Sequence, residues 1–77
     1  MDTITVITPD GVHHDYIAGR RAAMVYARNR ARTYPGRAVQ VIETIDDREA
    51  VTTVTWDEAW PYRGGFRVQR QRQPVTA

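Results

Sequence analysis

The chain has 77 residues, of which 42% are hydrophobic and 26% are charged, with a formal net charge of +2 and no cysteine. A chain of this length forms one domain, and the missing cysteine excludes disulfides and thiolate metal sites. No apolar run approaches the roughly 20 residues of a membrane-spanning helix. The N-terminus lacks a signal-peptide pattern, so we expect a cytoplasmic protein without a membrane partner.

Arginine supplies all eleven of the Lys+Arg residues, and lysine is absent. Because lysine is missing along the whole chain, codon bias in a high-GC bacterium or its phage is the favoured interpretation. The alternative is selection for the bidentate guanidinium group. A net charge of +2 is too small to indicate nucleic-acid binding by itself.

The first predicted elements are two short strands joined by a turn. Residues 3–8 (TITVIT) are β-branched throughout, which is typical of a strand. Pro9-Asp10-Gly11 predicts a turn, and residues 12–17 (VHHDYI) predict a returning strand. A two-residue turn would place Val6 opposite Asp15, a poor pairing. The alternative is therefore a loop that leads directly into the helix.

Residues 18–34 (AGRRAAMVYARNRARTY) predict the central helix, since alanine has the highest helix propensity. At about 100° per residue, one arc of this helix is apolar and a separate arc is basic. The apolar arc contains Ala23, Met24, Ala27, Ala31 and Tyr34, and the basic arc contains Arg21, Arg28 and Arg32. The start is expected between residues 16 and 20, with Asp15 or Gly19 as the cap, and Pro35-Gly36 marks the end.

A hairpin is predicted after the helix, from residues 37–45 and 50–56 around a polar turn at 46–49. Val39, Val41 and Ile45 alternate onto one face, while Ile42 lies on the other. Apolar residues on both faces indicate that the second face is also covered, either by the C-terminal segment or by a second copy of the chain.

The C-terminal third combines a capping-box pattern with a last short strand. Thr55 and Glu58 have the spacing of a capping box, which predicts one helical turn, although a strand reading competes for Thr55 and Trp56. Arg63-Gly64-Gly65 predicts a turn, residues 66–70 a short strand, and residues 71–77 a disordered tail. The expected fold is a single α+β domain over 1–70. Its antiparallel sheet consists of two hairpins in ββαββ order, with one central helix packed on one face.

Catalytic and metal-binding patterns are weak in this chain. His13 and His14 are adjacent, and neighbouring strand residues point to opposite faces. The acidic residues around the predicted turns have no calcium-loop spacing. Serine and cysteine are both absent, which removes the usual nucleophile triads. We therefore expect a non-enzymatic protein with no metal and no cofactor.

The most unusual stretch is 56–72, where aromatic residues alternate with arginines. One interpretation is that these aromatic residues complete a small core, as we expect of Trp56. The same composition suits protein interfaces, where Trp, Tyr and Arg are enriched, and also single-stranded nucleic acid. We expect a small protein–protein interaction module, such as a phage or mobile-element accessory protein that acts on a host protein, and a homodimer. The predicted partner-binding residues are Trp60, Tyr62, Arg63, Phe66 and Arg67. The alternative is a nucleic-acid-binding module that uses Arg21, Arg28, Arg32, Arg70 and Arg72.

Overall fold

The computed structural model describes residues 3–16, 19–46 and 48–74. Its elements are β1 (Thr3–Ile7), β2 (His13–Asp15), α1 (Arg20–Thr33), β3 (Val39–Ile45), β4 (Arg48–Trp56) and β5 (Phe66–Pro74), with a 3-10 turn at Arg63–Gly65. All five strands form one antiparallel sheet in the order β2-β1-β3-β4-β5. The predicted α+β class is confirmed, but the last strand pairs in full with β4, so the order is ββαβββ.

The helix follows the predicted pattern closely. It begins at Arg20 with Gly19 as its cap, because Asp15 is held in β2. Four residues of the predicted apolar arc are buried: Ala23, Met24, Ala27 and Ala31. Gly36 has a φ of 78°, and its N–H donates to the carbonyl of Trp56 at 3.0 Å. The exit from the helix is thereby tied to the end of β4.

The core lies between the alanine face of α1 and the valines of three strands. Val6 pairs with Val41, and Val39 pairs with Val54, and all four side chains are fully buried. Trp56 packs against this core beside the buried Phe66. Small side chains on the helix let its axis approach the sheet closely, so β-branched residues fill the interior without large aliphatic groups.

The β1–β2 register differs by one residue from the prediction. Val6 pairs with His14 rather than with Asp15, because residues 8–12 form a longer loop. The Asp10 carboxylate accepts a hydrogen bond from the Thr8 hydroxyl inside this loop, and this bond is the main reason that the pKa of Asp10 is lowered. A shift of one residue exchanges the faces of a strand. His14 therefore faces the helix, and Asp15 accepts a hydrogen bond from Thr5 at 3.0 Å.

Three predictions about the last third are corrected. Thr55 and Trp56 belong to β4, opposite Arg67 and Phe66, so the predicted capping box is wrong. A turn follows instead, in which the Asp57 carboxylate accepts from the N–H of Ala59 at 3.0 Å. β4 already begins at Arg48, which shortens the predicted turn at 46–49. Residues 71–74, expected in the tail, continue β5 along β4, and 75–77 lie outside the described residues.

Candidate binding site

The helix covers only part of the sheet face on which it lies. It packs on β1, β3 and β4. Beside it, between α1 and the start of β5, lies a concavity of about 560 Å³. We call this concavity the arginine groove; it is lined by Arg20, Arg21, Met24, Arg28, Arg63 and Val68. The sequence predicted the basic face of the helix, but it did not predict that β5 would supply the opposite wall.

Three of the four groove arginines carry uncompensated charge. Arg21, Arg28 and Arg63 are exposed, and none of them forms an ion pair with the residues that the structure describes. Met24 and Val68 supply apolar lining between them. A groove of this kind presents guanidinium groups around an apolar surface, which suits a ligand with both phosphates and flat apolar parts.

The fourth groove arginine is held by a buried acid that the sequence analysis missed. Glu43 lies on the helix side of β3 with 4% of its side chain exposed. Its Oε1 lies 3.2 Å from Arg20 Nε and 3.5 Å from Arg70 Nη2. Glu43 thus connects the first residue of α1 to β5 across one end of the groove. Side chains alternate along β3, so the pattern that places Val39 and Val41 in the core also predicts that Glu43 faces the core.

The other arginines of the predicted nucleic-acid surface are dispersed. The Arg32 guanidinium carbon lies 5.4 Å from the centroid of the Phe66 ring, at the far end of the helix. Arg72 pairs with Ala50 and lines a separate concavity near the β3–β4 turn. The structure therefore brings Arg21 and Arg28 together in the groove. Arg70 lines the same separate concavity as Arg72, where it lies 3.5 Å from the Glu43 carboxylate.

The five predicted partner-binding residues line one concavity. This aromatic concavity of about 390 Å³ contains Trp60, Tyr62, Arg63, Phe66 and Arg67, with Val68 and Gln69. The Trp60 and Tyr62 rings meet edge to face at 5.5 Å, and Tyr62 is 64% exposed. The Arg67 guanidinium carbon lies 4.3 Å from the Trp60 centroid, and its Nη2 lies 3.2 Å from Asp57 Oδ2. One face of the indole is thus covered, whereas the phenol of Tyr62 remains accessible.

The turn before β5 joins the two concavities. Arg63 and Val68 line both of them. Arg63 takes a φ of 52°, and the following Gly64 and Gly65 also have positive φ. This diglycine turn directs the chain from the aromatic residues into β5, so Arg63 stands between the arginine groove and Tyr62. The two concavities are therefore contiguous, and they share Arg63 and Val68.

The histidines have structural contacts. The Tyr26 hydroxyl lies 3.1 Å from His14 Nε2, and the two rings are 5.0 Å apart. His13 lies on the other face of the sheet, as the alternation predicted. Burial raises the pKa of the nearby Tyr16, with Tyr26 adding to the effect. Within the described ranges, no group of three His, Cys, Asp or Glu side chains could hold a metal ion.

Comparison of this chain with protein-family models, curated proteins and solved structures found no match in any of the three. Among the described residues, none of the helical structure is long and apolar enough to span a bilayer.

Proposed function

We propose that the protein is a small non-enzymatic module that binds single-stranded nucleic acid, with the phosphate backbone in the arginine groove. The groove itself carries this proposal. Arg21, Arg28 and Arg63 project around apolar lining, and no acidic side chain lines the groove in the part of the chain that the structure describes. The sequence alone favoured a protein partner. A contiguous groove with three guanidinium groups that form no ion pair with the described residues favours the nucleic-acid alternative.

The distribution of charge supports a polyanionic ligand. Five arginines lie in α1 and three in β5, and neither element contains an acidic residue. The rest of the chain has three arginines and nine acidic residues. The overall charge of +2 is therefore the sum of +8 in α1 and β5 and −6 in the rest of the chain. Such a contrast attracts a polyanion to one side of the molecule and orients it during encounter.

Tyr62 favours a single strand over a duplex. Its ring is exposed in the adjoining aromatic concavity, next to Arg63, which lines both concavities. An unstacked base can lie against an exposed aromatic ring, which contributes roughly 1–3 kcal/mol per base. A duplex keeps its bases stacked and offers only its backbone. We therefore expect single-stranded oligonucleotides to bind more tightly than duplexes of the same length.

The test is fluorescence anisotropy with labelled single-stranded DNA and RNA over a series of salt concentrations. Three unpaired arginines predict a slope of log K against log salt of about −2, since each neutralised phosphate contributes about −0.7. The double variant Arg21→Gln/Arg28→Gln should weaken binding about tenfold or more at low salt and flatten the slope. Tyr62→Ala should weaken single-strand binding and leave duplex binding unchanged.

The matched control is Arg37→Gln/Arg48→Gln, which removes the same charge away from the groove. Arg37 donates to the carbonyl of Pro9, and Arg48 begins β4. Binding by this control should stay close to that of the wild type. Equal losses in the two double variants, or no binding at low salt, would rule out the groove as the site.

A second candidate function is protein binding through the aromatic concavity. The observation that favours it is the convergence of Trp60, Tyr62 and Phe66 with two arginines in one concavity. Tyrosine, tryptophan and arginine are the side chains that most often dominate binding energy at interfaces. A photo-crosslinking phenylalanine analogue at position 62 would test this function in cells. One major crosslinked protein, lost in Trp60→Ala and retained in Arg21→Gln/Arg28→Gln, is the expected result.

A further inference from the structure

The side of the sheet opposite the helix forms a second surface. Side chains that alternate with the core residues point to this side, which α1 does not cover. We call it the open face; it comprises Thr5, Ile7, Gln40, Ile42, Thr44, Val51, Thr53, Thr55, Gln69 and Gln71. None of these ten residues carries a formal charge. Asp15, Glu49 and Arg67 pair with Thr5, Thr44 and Thr55, so they lie on the same side of the sheet and surround these uncharged residues.

The centre of the open face is apolar. Ile42 pairs directly with Val51 in the β3–β4 ladder. Ile7 pairs with Gln40, so it lies diagonally next to Ile42. All three aliphatic side chains are only half-buried by their own chain. Threonines and glutamines surround them, which provides hydroxyl and amide groups that can both donate and accept hydrogen bonds.

We propose that a second copy of the chain covers this open face, so that two sheets pack face to face with the helices outside. In a two-fold dimer the same surface of each copy forms the interface, so that surface must be able to pack against its own copy. An uncharged face with donors and acceptors in the same groups can do so without repulsion. Sheets packed in this way lie about 10 Å apart and interleave their side chains. Ile7, Ile42 and Val51 would form the centre of that interface.

The other large surfaces are unsuited to self-association. The helix side carries the arginine groove, so two copies would bring like charges together. The free edge of β5 is nine residues long. Antiparallel pairing of two such edges about their centre would place Arg70 opposite Arg70 of the second copy, which destabilises a strand pair. The charge pattern therefore directs a second copy to the open face.

The size of the open face fits a weak dimer. Five strands spaced about 4.8 Å apart, with central strands of seven and nine residues, give an area of roughly 500 Å² per copy. Twice this area, about 1,000 Å², is smaller than the roughly 1,200–2,000 Å² of stable interfaces and is typical of weak, transient ones. We therefore expect an equilibrium between monomer and dimer that depends on concentration in the micromolar range.

Dimerisation has a consequence for ligand binding, which rests on the proposed function. Face-to-face packing places the two arginine grooves on opposite outer sides of the dimer. A dimer could then hold two nucleic-acid segments at once. The test below contains no nucleic acid, so its failure leaves the proposed function unaffected.

The test is sedimentation velocity of the full chain from 1 µM to 1 mM. The mass should rise from 8.8 kDa towards twice that value. Ile42→Arg should remain monomeric throughout, because the arginine would face its own copy across the two-fold axis. Thr53→Arg is the second variant, since it alters the same face without removing an aliphatic group. Circular dichroism would check that both variants fold.

The control is Val12→Arg, an exposed apolar residue in the β1–β2 loop, which should dimerise like the wild type. Added salt should have little effect on the dimer, because the centre of its interface is uncharged. A wild-type chain that stays at 8.8 kDa up to 1 mM would overturn the proposal. A dimer that persists in the folded Ile42→Arg and Thr53→Arg variants would also overturn it.

Discussion

At the scale of single residues, the most informative position is Thr52. It lies on the helix side of β4 between Val41 and Arg70, and it is fully buried. Its hydroxyl has no hydrogen-bond partner among the described residues. A buried hydroxyl without a partner costs about 1–3 kcal/mol of stability. Its removal without a change of shape should therefore make the protein more stable.

We predict that Thr52→Val raises the free energy of unfolding by about 1 kcal/mol, because valine fills the same space without a polar group. Chemical denaturation at low micromolar protein would measure the change. Thr33→Val, at an exposed position of α1 outside the open face, should alter stability by less than about 0.5 kcal/mol. Equal stability of the Thr52→Val variant and the wild type would mean that the hydroxyl does find an acceptor.

The burial of two polar residues could not be predicted from the sequence alone. Thr52 and Glu43 occupy core positions in strands whose period of two was recognised. Hydropathy alone assigns a glutamate to solvent, since isolated carboxylates are seldom buried. The arginines that make this burial tolerable, Arg20 and Arg70, come from a helix and a strand far apart in the chain. Only the folded arrangement brings the three groups together.

At the scale of elements, local pattern predicted the helix, the β3–β4 hairpin and the turn at Arg63–Gly65, but not the β1–β2 register or the end of β4. Alanines at helical spacing and valines at alternate positions are strong local signals. The capping box failed because Thr55 and Trp56 find partners in β5, and strand pairing prevails over a local capping preference. The β1–β2 register failed because the loop is longer than the two-residue turn that was assumed. Both errors occur in hairpins, where the length of the loop sets which residues pair.

The connection between β4 and β5 depends on Gly65. The Gly65 carbonyl accepts from the N–H of Asp57 at 2.7 Å, and the φ of Gly65 is 94°. A Cβ atom at this position would lie 2.8 Å from Trp56 Nε1 and 3.0 Å from the Asp57 carbonyl oxygen. Gly64 has a φ of 65°, but a Cβ there would meet no atom within 4 Å. The two glycines therefore differ in the space around them.

We predict that Gly65→Ala lowers the free energy of unfolding by about 2–3 kcal/mol, because backbone strain and a close contact act together. Gly64→Ala should cost about 1 kcal/mol, since it introduces strain alone. Thermal and chemical denaturation of the two variants would measure the difference. Equal losses would show that the Trp56 side chain moves aside without cost.

At the scale of the whole molecule, the charge distribution follows from the order of the strands. The sequence shows how many arginines there are, and the net charge averages them with the acids. Placing β5 at the edge of the sheet, beside the basic face of α1, turns that face of the helix into the wall of a groove. The helical arginines could be predicted from their spacing. The groove could not, because its other wall lies more than thirty residues away in the chain.

Glu43 affects both the stability of the fold and the charge near this groove. Its carboxylate neutralises Arg20 and Arg70, whose side chains are 48% and 32% exposed. Both guanidinium groups can be hydrated if the carboxylate is lost, so the cost should be smaller than the roughly 3–5 kcal/mol of a fully buried pair. We predict that Glu43→Gln lowers the free energy of unfolding by about 1–2 kcal/mol.

The same substitution should strengthen nucleic-acid binding. Arg20 and Arg70 would become available to phosphates, so the slope of log K against log salt should steepen by about 1. Glu58→Gln changes the charge equally in an exposed turn outside the groove; it should leave both stability and the salt slope nearly unchanged. Anisotropy and denaturation on the same two variants would test the link. If Glu43→Gln binds more weakly while it remains folded, the buried carboxylate positions the arginines for binding instead of competing for them.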